Sequence, residues 1–201
     1  MGTDYTFQPE TISGNNIAVA EAENATASFA NAHAWTSATD GDAGGGITMK
    51  VLPDNGTAWV LGASAMADGA PRLDFDFNIT TAGTYWLYLR SAGIDTSSDS
   101  CWFKIGSATE AIHTPISSAN DLRWSRAASA SLSTGVVTVR IAAREDGYVL
   151  DRILLSTNGS QSGLGLNGDG VIGPAESAHT GGGAPAQNAQ HNNMRNIRMA
   201  P

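Results

Sequence analysis

The sequence predicts an all-β protein, a β-sandwich. Three observations carry that reading. One segment, Arg72 to Ile79, alternates strictly between apolar and polar residues, the period-two signature of a half-buried strand. Further short apolar runs follow one another, separated by Gly, Asn, Asp and Ser clusters, as turns between strands require. No segment has convincing helical periodicity, and many short strands with turn signals and no helices indicate a sandwich.

In chain order, residues 1–15 are a polar N-terminal extension. Strands are expected at 17–22, 47–52 and 57–61. In the alternating segment Leu73, Phe75, Phe77 and Ile79 face one way and Arg72, Asp74, Asp76 and Asn78 the other. Thr80-Thr81-Ala82-Gly83 reads as a turn, and 84–90 runs back as the second arm of an antiparallel hairpin. Strands at 101–105, 129–132, 135–142 and 148–155 complete the sandwich, which spans residues 16–157. Residues 158–201 read as a Gly-rich tail, because from about residue 178 the composition cannot bury enough apolar area to offset its ordering entropy. There is no internal repeat.

Composition narrows the function classes. The 201 residues, with 41% apolar content, suffice for one domain with a tail. Lys and Arg number 11 against 19 Asp and Glu, a net charge of −8. That balance argues against nucleic acid and anionic membrane as partners. Charged residues are 15% of the chain, below the ~25% usual for globular domains; small uncharged loops of this kind are the look of an extracellular β-protein. The single cysteine, Cys101, excludes an internal disulfide. No apolar run approaches the ~18 residues a membrane-spanning helix needs, and the stretch MGTDYTFQPE lacks the basic and apolar regions of a signal peptide.

Two acidic features ask for a cation. Glu21 and Glu23 lie two apart, hence on one strand face. Like charges there are costly unless a cation or hydrogen bonds neutralise them; Ca2+ is the natural candidate, and a solvated strand face is the plain alternative. Asp151 sits alone in an apolar strand and needs a partner. It completes a site with Glu21 and Glu23 if the first and last strands are neighbours, or else pairs with Arg144 or Arg152. A weaker second Ca2+ site is the stretch from Gly165 to Glu176, which fits an EF-hand-type loop at Asn167, Asp169 and Glu176 but has Gly165 at the first position. The alternative is an Asn-Gly, Asp-Gly turn.

Several motifs occur in a fixed order: EAENAT, AGTYWLYLR, SDSCWFKIG, Trp124, LSTGVVTVRIA and DGYVLDRILLS. The ordered set resembles carbohydrate-binding modules of families 6 and 35, over roughly residues 17–157. The resemblance implies a jelly-roll β-sandwich, appended to secreted polysaccharide-active proteins. It also implies a structural Ca2+ held by Glu21, Glu23 and Asp151, with carbonyls of the loop around 41–46 adding ligands. The family's sugar site lies in loops at one end and often has an asparagine two residues before the late aspartate; this chain has Val149 there.

Trp35 and Tyr148 are the expected stacking rings, with Asp146 and Glu145 as hydroxyl acceptors; Trp59 reads as core. A second surface follows from alternation: Trp86, Tyr88 and Arg90 share one strand face, and Trp102 joins them if the strands are neighbours. That face either binds glycan or is covered by the terminal extensions or another protein. Enzyme chemistry finds no support: the four histidines have no metal-ligand spacing, and no nucleophile elbow or phosphate loop occurs. The expected function is therefore non-catalytic binding of a polysaccharide or oligosaccharide, neutral rather than acidic in view of the net charge, by a Ca2+-stabilised, secreted module. The rival from another class is a structural subunit of an extracellular filament or surface assembly, self-associating through its terminal extensions.

Overall fold

The computed structural model describes residues 5–59, 69–114 and 121–180. Two sheets face each other across one core. In the first, the order is β10 (Ala111–His113), β9 (Cys101–Ile105), β12 (Gly135–Ala143), β7 (Arg72–Ile79), β1 (Thr6–Phe7) and β14 (His179–Thr180), and β4 (Ala27–Phe29) also pairs with β7. The second sheet runs β11 (Arg123–Leu132), β8 (Gly83–Ala92), β13 (Val149–Ser156), β3 (Asn15–Glu21) and β2 (Glu10–Ile12). Onto the free part of β13 it adds β6 (Ile47–Leu52), and onto β6 it adds β5 (Ala34–Thr39). All pairings are antiparallel except β1 with β7.

The alternation in β7 holds as read. Leu73, Phe75, Phe77 and Ile79 are at most 1% exposed and form one wall of the core. Tyr85, Leu87 and Leu89 of β8 form the opposite wall, with Ile153 and Leu155 of β13 beside them. The expected hairpin of 72–79 with 84–90 is therefore not formed. β7 pairs with β12 and β8 with β11 and β13, so the turn at 80–82 carries the chain from one sheet to the other. Two strands whose apolar faces must meet across a core cannot also lie side by side in one sheet. The expected strand at 57–61 is only an isolated bridge, Ala58 to Glu145; residues 60 and 61 lie outside the described residues.

Both terminal segments belong to the packed body. Phe7 of the N-terminal extension is fully buried and stacks at 5.5 Å from Phe77. Of residues 158–180, expected as tail, 158–177 run as a strap over the outer face and edge of the second sheet, and His179–Thr180 join the first sheet as β14. Leu164, Leu166 and Val171 cover Ile17, Val19, Tyr88, Trp124 and Leu154. Gly159 sits against Trp86, where a Cβ would lie 2.6 Å from the ring, so a larger residue would have to displace the loop or the indole. The strap also closes the edge of β3: Ser177 exchanges hydrogen bonds with Val19, N–H to carbonyl at 3.0 Å and Oγ from the Val19 N–H at 2.9 Å. The rest of the expected tail, 181–201, lies outside the described residues.

Candidate functional site

β3 and β13 are antiparallel neighbours, with Glu21 opposite Arg152. That register brings the first and last acids of the sandwich together, as the carboxylate argument requires. A register shift between Leu150 and Arg152 against β8 interrupts the alternation of β13, and Asp151 turns to the strap side. The four acids Glu21, Glu23, Asp151 and Glu176 then share one buried region with two guanidinium groups.

Arg90, fully buried, donates from Nη1 to Asp151 at 2.6 Å, from Nε to the Val171 carbonyl at 2.9 Å and from Nη2 to the Asp42 carbonyl at 2.9 Å. Asp151 also accepts the Gly44 N–H at 2.9 Å. Its partner is thus neither Arg144 nor Arg152. Arg152 forks onto both carboxylate oxygens of Glu21, Nε at 2.8 Å, and its Nη1 reaches the Pro174 carbonyl at 2.8 Å. A Cβ on Gly44 would lie 2.0 Å from Arg152 Nε; the glycine leaves the space this guanidinium fills. Glu176 accepts the Glu21 N–H at 2.9 Å and both its oxygens take Asn24 Nδ2.

Glu23 is the acid left over. Its Oε2 is buried without a hydrogen-bond partner among the described residues. Burial pushes its carboxyl up to about 8, and the neighbouring charges of Glu21, Asp151 and Glu176 add to the rise. Burial likewise raises Glu21 to about 7 although Arg152 pulls it down, and raises Asp151 against the pull of Arg90. Four carboxylates against two guanidiniums leave an excess of two negative charges if all ionise. In charge the set fits a divalent cation. Among the described residues no three acids or imidazoles stand together as ready metal ligands, because the guanidiniums hold oxygens of Glu21 and Asp151.

The EF-hand-like loop does not close on one point. Asp169 pairs with Arg123 at 2.8 Å, Glu176 turns to Asn24, and Asn167 is exposed. A helix-free loop has nothing to aim its ligands inward, and its last acid serves the first cluster instead.

The expected sugar residues are scaffold. Trp35 is 5% exposed, donates from Nε1 to the Pro71 carbonyl at 3.0 Å, and meets Tyr148 edge-on at 6.2 Å. Tyr148 is fully buried. Neither ring has a free face for a sugar. Asp146, also fully buried, accepts the N–H groups of Asn55 at 2.8 Å and Thr57 at 2.9 Å. Glu145 accepts from the Asp99 and Ser100 N–H groups and Ser100 Oγ. These two acids pin the loops at 53–59 and 94–100; the turn Asp146-Gly147 carried the signal, since buried carboxylates beside turns satisfy loop amides.

What remains accessible at that end is Trp59, half-buried, with His33 against it edge-on at 5.0 Å. His33 Nε2 lies 3.3 Å from Asn55 Oδ1, and Lys50 pairs with Asp54 at 3.1 Å. Trp35 is therefore core, and Trp59, read as core, packs against that core while keeping part of its surface exposed. Local sequence does not separate them; the Trp59 carbonyl takes Trp102 Nε1 at 2.9 Å, and that contact holds Trp59 at the rim.

The second expected surface divides between sheets. Trp86, Tyr88 and Arg90 lie on β8, Trp102 on β9 of the other sheet. Tyr88 and Arg90 are fully buried under the strap, and Trp102 is covered by Ala70, Ala142 and Trp59. The terminal extension covers the face, and only Trp86 keeps partial exposure. Burial pushes the Cys101 thiol up to about 12.

No protein-family model matches the chain, and no curated protein matches it. Solved structures do. The C-terminal family 6 carbohydrate-binding module of the laminarinase LamC from Zobellia galactanivorans aligns over its whole length with 71% of this chain, at TM-score 0.50 and 12% identity. The exo-β-1,3-galactanase of Phanerochaete chrysosporium, solved with β-1,3-galactotriose, matches 69% of this chain at TM-score 0.51 and 15% identity. A β-(1,4)-mannanase of Podospora anserina with a family 35 module matches 69% at TM-score 0.50 and 19% identity. The aligned region is 29% and 27% of those two enzymes. The chain has the β-jelly-roll fold of family 6 and family 35 carbohydrate-binding modules, and at these identities the likeness is one of fold.

Proposed function

We propose that this chain binds carbohydrate without acting on it, at the loop end that carries Trp59. The alignment of a whole carbohydrate-binding module, the C-terminal module of a laminarinase, with 71% of this chain is the observation that carries the reading. The ordered motifs of the sequence support it. Trp59 supplies a half-buried ring at the rim, and His33 against it, with Asn55 beside His33, supplies hydrogen-bonding groups. Axial C–H faces of a sugar ring stack on such a plane while polar groups take the hydroxyls.

Retention on a panel of polysaccharide gels tests this. The chain is expected to be retarded by at least one β-glucan, galactan or mannan gel. Trp59→Ala should weaken that retention by about tenfold or more, as loss of a central aromatic anchor does, and Trp59→Phe should keep part of it. Failure of every glycan to retard the intact chain overturns the reading; unchanged retention by Trp59→Ala moves the site elsewhere.

We also propose that the acid cluster takes up Ca2+. Glu23 supplies its unengaged Oε2, and Glu21 and Asp151 are shared with the guanidiniums. Bound there, the ion would supply only charge neutralisation and cross-linking of the first and last strands. A ligand that binds only the folded state raises its melting temperature. Millimolar Ca2+ is therefore expected to raise the melt by several degrees over EDTA. An identical melt in both would leave Arg90 and Arg152 as the cluster's resident cations.

A further inference from the structure

The strap does more than cover the outer sheet face. Between it and the adjoining edges of the two sheets lies an open cleft of about 630 Å³, lined by His113, Thr114, Ser125, Arg126, Asn167 and the loop 159–162. That volume is in the range of small-ligand sites. The lining is hydroxyl, amide, imidazole and guanidinium, with no carboxylate among the described residues. In a chain of net charge −8, the described lining carries one arginine and no carboxylate, and its builders are fixed in place. Arg126 lies over the Trp86 ring at 4.7 Å and donates from Nη1 to the Gly159 carbonyl at 2.8 Å. Gln161 spends its amide N–H groups on the carbonyls of Trp124 at 2.8 Å and Leu166 at 3.2 Å, so its Oε1 is left as an acceptor. His113 is buried beside Ser125 Oγ at 2.9 Å. Burial lowers its imidazole to about 4, so it is a neutral hydrogen-bonding group at pH 7.

We infer that this cleft is a second carbohydrate site, one that selects an acidic sugar. The inference rests on the carbohydrate-binding reading above and adds to it a place and a substrate class. Arg126 keeps Nε and Nη2 free of hydrogen bonds among the described residues, which leaves part of a planar fork for a sugar carboxylate. The stack on Trp86 and the bond to Gly159 hold the fork in one orientation, which lowers the ordering cost of binding. The serine, threonine and amide groups around it suit ring hydroxyls. Net charge predicts a neutral glycan for the chain as a whole; the local lining reverses that at this cleft.

The test measures binding of hexagalacturonate and laminarihexaose to the intact chain by calorimetry, with Arg126→Met, Gln161→Ala and Trp59→Ala beside it. Hexagalacturonate is expected to bind, less tightly as salt rises. Arg126→Met should weaken it by about tenfold or more, the loss expected for a charged hydrogen bond, and Gln161→Ala by a smaller factor. Trp59→Ala should leave it unchanged. Arg126 is exposed, so its variant should melt like the parent. Equal hexagalacturonate affinity in Arg126→Met overturns the cleft. Glycan binding confined to neutral chains also overturns it, while leaving the carbohydrate reading intact. A chain that binds no glycan of any kind removes both.

Discussion

Replacing Arg90 with alanine is expected to cost about 3–5 kcal/mol of stability, the range for stripping one partner from a buried ion pair. For a domain of this size that lowers the melting temperature by roughly 6–20 °C. The magnitude follows from what is left behind. Asp151 is fully buried, 2.6 Å from Arg90 Nη1, and retains only the Gly44 N–H. The Val171 and Asp42 carbonyls lose their donors in the same step. Arg90→Lys should recover only part of the loss, since an ammonium cannot serve three separated acceptors as the fork does. The double variant Arg90→Met with Asp151→Asn should be more stable than Arg90→Ala, because no unpaired charge is then buried. Chemical denaturation of the four proteins decides the matter. A melt of Arg90→Ala within about 2 °C of the parent would show that the pair carries no stability.

Arg90 also shows where reading the sequence stops. Its alternation with Trp86 and Tyr88 put it on the outer face of β8, and that is where it lies. Outward does not mean solvent, because the strap covers the face and turns a surface arginine into the partner of Asp151. The strap itself has no period: its apolar residues, Leu164, Leu166 and Val171, are spaced by glycines and polar residues, so composition reads as tail. Most long strands were legible because alternation is set by one local geometry, but β11 was read only over 129–132 and β5 not at all. β7 and β9 begin and end where the pattern does. β1, β2, β4, β10 and β14, of two or three residues each, are too short to show any period.

The acid cluster was legible in part. Glu21 and Glu23, two apart, and a lone acid in an apolar strand each demanded a partner on electrostatic grounds alone, although Glu23 lies in a 3-10 turn, Ala22–Asn24, beyond the end of β3 at Glu21 and not on its face as read. Which partner depended on the bulge at Asp151 and on Gly44, and neither is visible in a residue count. The loop end failed in a different way. Tryptophan is equally at home in a core and on a rim, so Trp35 and Trp59 could be told apart only by what surrounds them. Trp35 on β5 is buried within the core, whereas Trp59 packs against the same core from the loops and stays half-buried.

Truncating the chain after Thr157 is expected to leave an insoluble product, or a soluble one that binds hydrophobic dye and has no cooperative melt. The segment removed covers Ile17, Val19, Tyr88, Trp124 and Leu154. Side chains of this kind each contribute roughly 1.5–3 kcal/mol when fully buried. Uncovering one side of all five therefore costs on the order of 5–10 kcal/mol, comparable with the ~5–15 kcal/mol total of a typical domain. Two further losses act in the same direction. Val19 and Glu21 give up their edge partners Ser177 and Glu176, so β3 presents an open apolar edge of the kind that pairs with other chains. Arg90 and Arg152 lose the carbonyls of Val171 and Pro174. A milder probe of the same contact is Leu166→Ala, at 1% exposure in the parent, which should cost about 2–5 kcal/mol as a core truncation does. If the shortened chain instead stays monomeric by light scattering and melts like the parent, the strap is a passenger on a sandwich that folds without it.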